Sequence, residues 1–207
     1  MALLTSKLTG LEIRIIDFLI TNIAGQFAIR EVARQAKIDY KRTQVTIQKL
    51  ATKGILIKKR QANVDLCSLN LKDDLTSVYY VEMLRAKDFL DKHGYLKTFF
   101  TTVKEKIKNG YYTLVVFGSF AKGKEAKTSD VDLLIIVPNR EIGEEIERIV
   151  SSEALLLGRK VQPIVLDEKE FVDNLSSKKL NVVVDAFKNH IIITGVEAFY
   201  NGVKQTL

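Results

Sequence analysis

Two aspartates, Asp130 and Asp132, stand at the head of the apolar run 133–137. Ten residues before them comes Gly118-Ser119, which closes a second apolar run, 113–117. On an extended strand alternate side chains share a face, so Asp130 and Asp132 point the same way and Val131 and Leu133 the other. Two carboxylates at the mouth of a buried strand repel each other and are costly to desolvate unless a cation joins them. Mg²⁺ suits such a pair, because it takes one or two carboxylates and fills its shell with phosphate oxygens. In two-metal sites the ions lie ~3.5–4 Å apart, a span that neighbouring carboxylates can bridge. Gly118 lets a backbone approach without a Cβ. Ser119 offers a hydroxyl and an N–H to a phosphate, most effectively where a helix begins. Lys122 and Lys124, in the intervening loop, carry charge that would neutralise more of a polyphosphate. An isolated Asp-x-Asp commonly ends a strand in water; joined to a Gly-Ser turn and two apolar strands it points to a cation–phosphate site.

The segments Gly118-Ser119-Phe120-Ala121-Lys122-Gly123 and Thr128-Ser129-Asp130-Val131-Asp132-Leu133 resemble the signature of the nucleotidyltransferase superfamily typified by DNA polymerase β, in its minimal stand-alone form, over about 110–200. The resemblance implies an α/β domain with a mixed sheet. It implies attack of a hydroxyl on the α-phosphate of an NTP, with pyrophosphate leaving. Gly118 and Ser119 would hold the β- and γ-phosphates, and Asp130 and Asp132 would be the catalytic, Mg²⁺-binding pair. Active members carry a third carboxylate on the next strand, where this chain reads Gly158-Arg159-Lys160-Val161-Gln162-Pro163-Ile164-Val165-Leu166. Gln162 occupies that place, and a neutral amide cannot accept a proton as a carboxylate does. Asp167 lies five residues on, which puts it on the opposite face. Two outcomes follow: an enzyme that works with two carboxylates or borrows a base from substrate or partner, or a domain that binds nucleotide without turnover. The acceptor stays open among small molecules, nucleic acid and protein; some minimal members are antitoxins that adenylylate a partner toxin.

The elements that must position these residues are legible as periodicities. Residues 141–157 form an amphipathic helix with Ile142, Ile146, Ile149 and Val150 inward. Phe171, Leu175, Leu180, Val183, Val184 and Phe187 mark further helices, and 191–194 reads as a strand beside His190, a structural rather than catalytic histidine. Upstream, 73–110 is a helical connector. Val78, Val81, Leu84, Ala86 and Phe89 form a stripe broken at Gly94, and Phe99, Phe100, Val103 and Ile107 continue a second helix up to Gly110. No chemistry is read there. Long exposed helices at such positions pair between subunits, so a homodimer is among the expectations.

Residues 1–72 read differently. Thr9 and Glu12 have capping-box spacing before the stripe Leu11, Ile15, Ile16, Phe18, Leu19, Ile23. Ile29, Val32, Ala33 and Ala36 mark a second helix. Asp39 caps a third, 40–53, which ends at Gly54, with Thr43, Ile47 and Leu50 on one face. Strand-like runs 55–60 and 65–69 flank a tip at Gln61-Ala62-Asn63. This order, and the phrase Leu50-Ala51-Thr52-Lys53-Gly54-Ile55-Leu56, resemble the winged helix-turn-helix of transcription regulators. The whole chain is thus α+β: a winged helix followed by a polymerase β-like domain. Lys41, Arg42, Gln44, Gln48 and Lys49 lie on a polar helix face that can enter a major groove, and Lys58, Lys59 and Arg60 can hold phosphates.

Charge supports that division. The chain carries +7, and its first 70 residues hold 12 Lys/Arg against 5 Asp/Glu, so the whole excess lies there. Such a block favours a polyanion such as double-stranded DNA. The remaining 20 Lys/Arg and 20 Asp/Glu cancel. At 207 residues, 46% hydrophobic and 28% charged, the chain has an ordinary globular composition. One cysteine excludes a disulfide framework, and 2 histidines argue against a His-built metal cage. The apolar runs are too short to span a bilayer, and the N-terminus lacks a signal-peptide pattern; a cytoplasmic protein without membrane partners is expected. The expected division is 1–72, 73–110 and 111–207.

Overall fold

The computed structural model describes residues 8–108, 111–177, 179 and 181–206. Gly110 and Leu180, named above, lie outside the described residues. The chain divides into two compact units, Met1–Val81 and Glu82–Leu207.

In the first unit α1 (Gly10–Thr21) starts at the capping box its sequence encodes. The Thr9 hydroxyl accepts from the Glu12 N–H, and Glu12 Oε2 accepts from the Thr9 N–H at 2.7 Å. Residues 27–28, outside any predicted element, form a two-residue strand, β1. Helices α2 (Ile29–Gln35) and α3 (Tyr40–Thr52) follow, the latter capped by the Asp39 carboxylate on the Arg42 N–H. The hairpin β2 (Leu56–Gln61) and β3 (Val64–Leu69) completes an antiparallel sheet in the order β1-β3-β2. Ile15, Ile16, Leu19, Val32, Ile47 and Leu50 are fully buried, so the inward stripes of the three helices form one core.

Helix α4 (Thr76–Lys92) crosses the division. The second unit continues with α5 (Gly94–Lys106), β4 (Thr113–Phe117), the single turn α6 (Gly118–Ala121) and β5 (Val131–Val137). Next come α7 (Arg140–Leu157), β6 (Val161–Asp167), α8 (Glu168–Ser176), α9 (Val182–Lys188), β7 (Ile191–Thr194) and α10 (Val196–Lys204). The sheet is mixed, in the order β6-β5-β4-β7. β5 and β6 run parallel, while β4 is antiparallel to both β5 and β7. The two central strands are apolar on both faces because helices cover both: all of β4 and all of β5 except Asp132 are buried. Phe100 and Val103 of α5 and Ile146 and Val150 of α7 pack with Leu114, Val116, Leu133 and Ile135; Ile142 and Ile149 are partly buried against them. Asp167 caps α8 through a capping box with Glu170. Among the described residues no helix is long and apolar enough to cross a membrane.

Candidate active site

β4 and β5 lie side by side, so the end of one meets the start of the other. Phe117 pairs with Asp132 and Val116 with Leu133. That register sets the Gly118-Ser119 turn directly against the Asp-x-Asp pair. Gly118 has φ +67°, and a Cβ there would overlap Asp132 Oδ2 and lie 2.9 Å from its Cγ. Only glycine fits: the left-handed backbone costs other residues ~1–2 kcal/mol, and the carboxylate occupies the side-chain position. α6 begins at this point, with the half-buried Ser119 in its first turn.

Asp132 is half-buried and, among the described residues, no hydrogen bond or ion pair reaches its carboxylate. Burial pushes its pKa up, and the charges of Asp130 and then Asp185 add to that, against the opposing effect of Lys122. Asp130 is better supplied. It accepts a hydrogen bond from the Gln162 amide, and the Lys160 ammonium lies 3.7 Å from the same oxygen. The parallel register of β5 and β6 sets Gln162 directly opposite Asp132, where its amide donates to Asp130 and cannot serve as a base.

The loop between the two motifs is held in place. Arg159 donates to the Ser129 carbonyl at 3.1 Å and stacks over Tyr95 and Phe120. Ser129 Oγ accepts from the Ala126 N–H. His93 Nε2 lies 3.0 Å from Glu125 Oε1, with Nδ1 2.9 Å from the Phe89 carbonyl. The hydrogen bond from His93 holds the Glu125 carboxyl below its ordinary value. His93 and Tyr95 come from the stretch in which no chemistry was read.

Lys122, predicted to meet phosphate, is paired with Asp185: its ammonium lies 3.0 and 3.2 Å from the two carboxylate oxygens. Lys124 is exposed and carries no ion pair among the described residues. Asp185 had no sequence signal beyond its place in the first turn of a short helix; the packing of α9 on β4 brings it to the site. Behind α9, the fully buried Glu82 accepts from His190 and Tyr200 at 2.7 Å each and pairs with Arg85 at 2.9 Å. His190 Nδ1 reaches the Phe187 carbonyl, so this cluster fixes the end of the helix that carries Asp185. Among the described residues, no group of three or more His, Cys, Asp or Glu side chains could hold a metal ion. A cavity of about 400 Å³ opens at the other end of the sheet, beside Tyr112, Thr113, Phe171 and Glu197, and no predicted site residue lines it.

In the first unit Lys41, Arg42, Gln44, Gln48 and Lys49 are all exposed on α3, joined by Val45 at 70% exposure. Several of these cations have partners within the unit. Lys49 lies 3.1 Å from the buried Glu12, Lys58 3.2 Å from Asp65, and Arg60 4.0 Å from Asp65. Lys41, Arg42 and Lys59 carry no ion pair among the described residues.

The arrangement can cradle an anion over a small turn and supply two carboxylates to a cation beside it. Comparison with known proteins agrees with that chemistry. The chain is 29% identical over 111 residues to the Methanocaldococcus jannaschii protein named "Putative protein adenylyltransferase MJ1305", a match that covers 51% of this chain and 69% of that one. No solved structure gives a significant match. The stretch that holds both motifs, Gln162 and Asp185, residues 96–193, matches the family described as the nucleotidyltransferase domain.

Proposed function

We propose that the second unit transfers a nucleotidyl group from an NTP to a hydroxyl acceptor with Mg²⁺ as cofactor. The observation that carries this reading is the Asp132 carboxylate, without a hydrogen-bond or ion-pair partner among the described residues and pressed on a turn where a Cβ would overlap it. Asp130 and Asp132 are the residues that would hold the cation, and they fit it: a same-face pair, one member uncompensated, with room left for phosphate oxygens. When bound, the cation neutralises charge on the phosphates as pyrophosphate leaves. Gly118 and Ser119 hold the β- and γ-phosphates, helped by Lys122 and Lys124. The acceptor hydroxyl oxygen forms a bond to the α-phosphorus as the bond to the β-phosphate bridge breaks, and its proton passes to solvent water. Positioning and charge neutralisation carry the rate. The relative's name favours ATP as donor and a protein as acceptor, and the reading places the chain in the cytoplasm. The first unit is the DNA-binding winged helix, supported by its helix–helix–helix–hairpin order and local charge.

The Gln162 hydrogen bond to Asp130 favours a second reading, a DNA-binding regulator whose second domain binds nucleotide without turnover. One experiment separates the two. The protein is incubated with α-labelled ATP, Mg²⁺ and cell extract, beside Asp130→Ala/Asp132→Ala. Label transfer that disappears in the double variant supports the enzyme. Saturable binding with no transfer supports the regulator. Neither binding nor transfer refutes both.

A further inference from the structure

The Lys122–Asp185 ion pair joins a residue of the phosphate turn to a helix that no motif includes. Lys122 ends α6, and its N–H reaches back to the Gly118 carbonyl at 3.2 Å. Its ammonium sits between both oxygens of Asp185. Both side chains are partly open, 34% and 46% exposed, so solvent or a ligand can reach the pair. Asp185 stands on α9, which packs on β4, the strand leading into Gly118-Ser119. An arriving polyphosphate therefore meets a lysine already paired to a carboxylate.

We infer that Asp185 is a latch on the nucleotide site: it occupies Lys122 while the site is free, and the polyphosphate displaces it, so that Asp185 sets nucleotide affinity through Lys122. This rests on the reading of the second unit as an NTP site. Two consequences follow from competition for one cation. Removing the carboxylate frees Lys122 and tightens nucleotide binding. The gain vanishes when Lys122 is also removed, because the competition is then gone. Simple repulsion between Asp185 and phosphate behaves differently, since its relief does not need Lys122.

A double-mutant cycle makes the distinction. Binding of Mg²⁺ with α,β-methylene-ATP, which cannot turn over, is measured calorimetrically for the full chain, Asp185→Asn, Lys122→Gln and the double variant. Asp185→Asn is expected to tighten binding roughly two- to fivefold, the range that a partly exposed ion pair supports. In the Lys122→Gln background the same change is expected to alter affinity by less than about half of that factor. Asp185→Ala gives the same comparison should asparagine disturb α9. Unchanged or weaker binding by Asp185→Asn, or equal tightening in both backgrounds, overturns the latch. If the unmodified chain binds no nucleotide, the site reading itself fails; if it binds and the cycle is flat, the latch alone fails.

Discussion

Gly118→Ala tests the contact on which the site depends, and the fold supplies its own control. Gly118 and Gly123 both hold left-handed backbone, φ +67° and +61°. Alanine in that conformation costs ~1–2 kcal/mol at either position. Their surroundings differ. A Cβ at Gly123 meets nothing within 4 Å, whereas at Gly118 it overlaps the Asp132 carboxylate. Relief at Gly118 requires Oδ2 to retreat by on the order of 1 Å, a displacement that costs roughly 10²-fold in rate when it falls on a catalytic group. The two variants should therefore melt at similar temperatures, each below the unmodified chain. Only Gly118→Ala should lose about two orders of magnitude in label transfer from α-labelled ATP, and only it should weaken Mn²⁺ binding, read by electron paramagnetic resonance with α,β-methylene-ATP present. Equal transfer by the two variants would refute the cradle, because strain alone would then account for whatever Gly118 does.

Three further outcomes follow from the same geometry. Burial opposes ionisation of Glu12, but hydrogen bonds from Thr9, Lys49 and Lys53 outweigh it and hold its carboxyl down to about 2, from 4.5. That stabilisation, on the order of 3 kcal/mol, is present above pH 4.5 and lost as pH falls toward 2; the stability gap between the unmodified chain and Glu12→Gln should narrow over that window in urea titrations, and a constant gap counts against it. Glu82→Gln removes the buried carboxylate that accepts from His190 and Tyr200 and pairs with Arg85 and should cost about 3–5 kcal/mol in chemical denaturation, with a loss under about 1 kcal/mol counting against the carboxylate as the group that holds this cluster together. For DNA, Lys41→Ala and Arg42→Ala should each flatten the salt dependence of binding by close to one unit of log–log slope in fluorescence anisotropy, while Lys49→Ala should chiefly lower stability; the reverse ranking would discard α3 as the contact face.

What could be read from sequence was local. Thr9 with Glu12, Asp39 before α3, Gly54 after it, and the apolar runs of β4 and β5 each announce an element through neighbours a few residues away, and each lies where the spacing puts it. The meeting of Gly118 with Asp132 was legible because two strands flank the spacer and antiparallel pairing closes them. Asp185, His93 and Glu82 were not, because their partners lie 63, 32 and 108 residues away and nothing in a local period encodes such pairs. The polar face of α3 holds a partner that no local spacing announces. Lys49 has the spacing of a groove-facing residue, yet Glu12 is turned inward by its cap and needs a cation, and Lys49 is within reach. β1 was missed because two residues carry no period at all.

The partners of the three carboxylates near the turn explain what Gln162 does. Asp185 has Lys122, Asp130 has the Gln162 amide and Lys160, and Asp132 has neither donor nor cation among the described residues. A neutral donor at 162 orients Asp130 without adding charge, so the free site carries a pair of negative charges rather than three. A site of lower charge holds a bare divalent ion weakly and repels an incoming metal–nucleotide complex less. Gln162→Glu should reverse that balance. Gln162 is exposed, so the added charge acts through water-like surroundings, where two opposite charges ~4 Å apart, one of them double, gain roughly 1–2 kcal/mol. Mn²⁺ should bind the nucleotide-free variant about 5- to 30-fold more tightly, with Asp132→Asn in the same background removing most of the gain. Mn²⁺ affinity that ignores residue 162 would mean that the cation, if it binds, does not sit between Asp130 and Asp132.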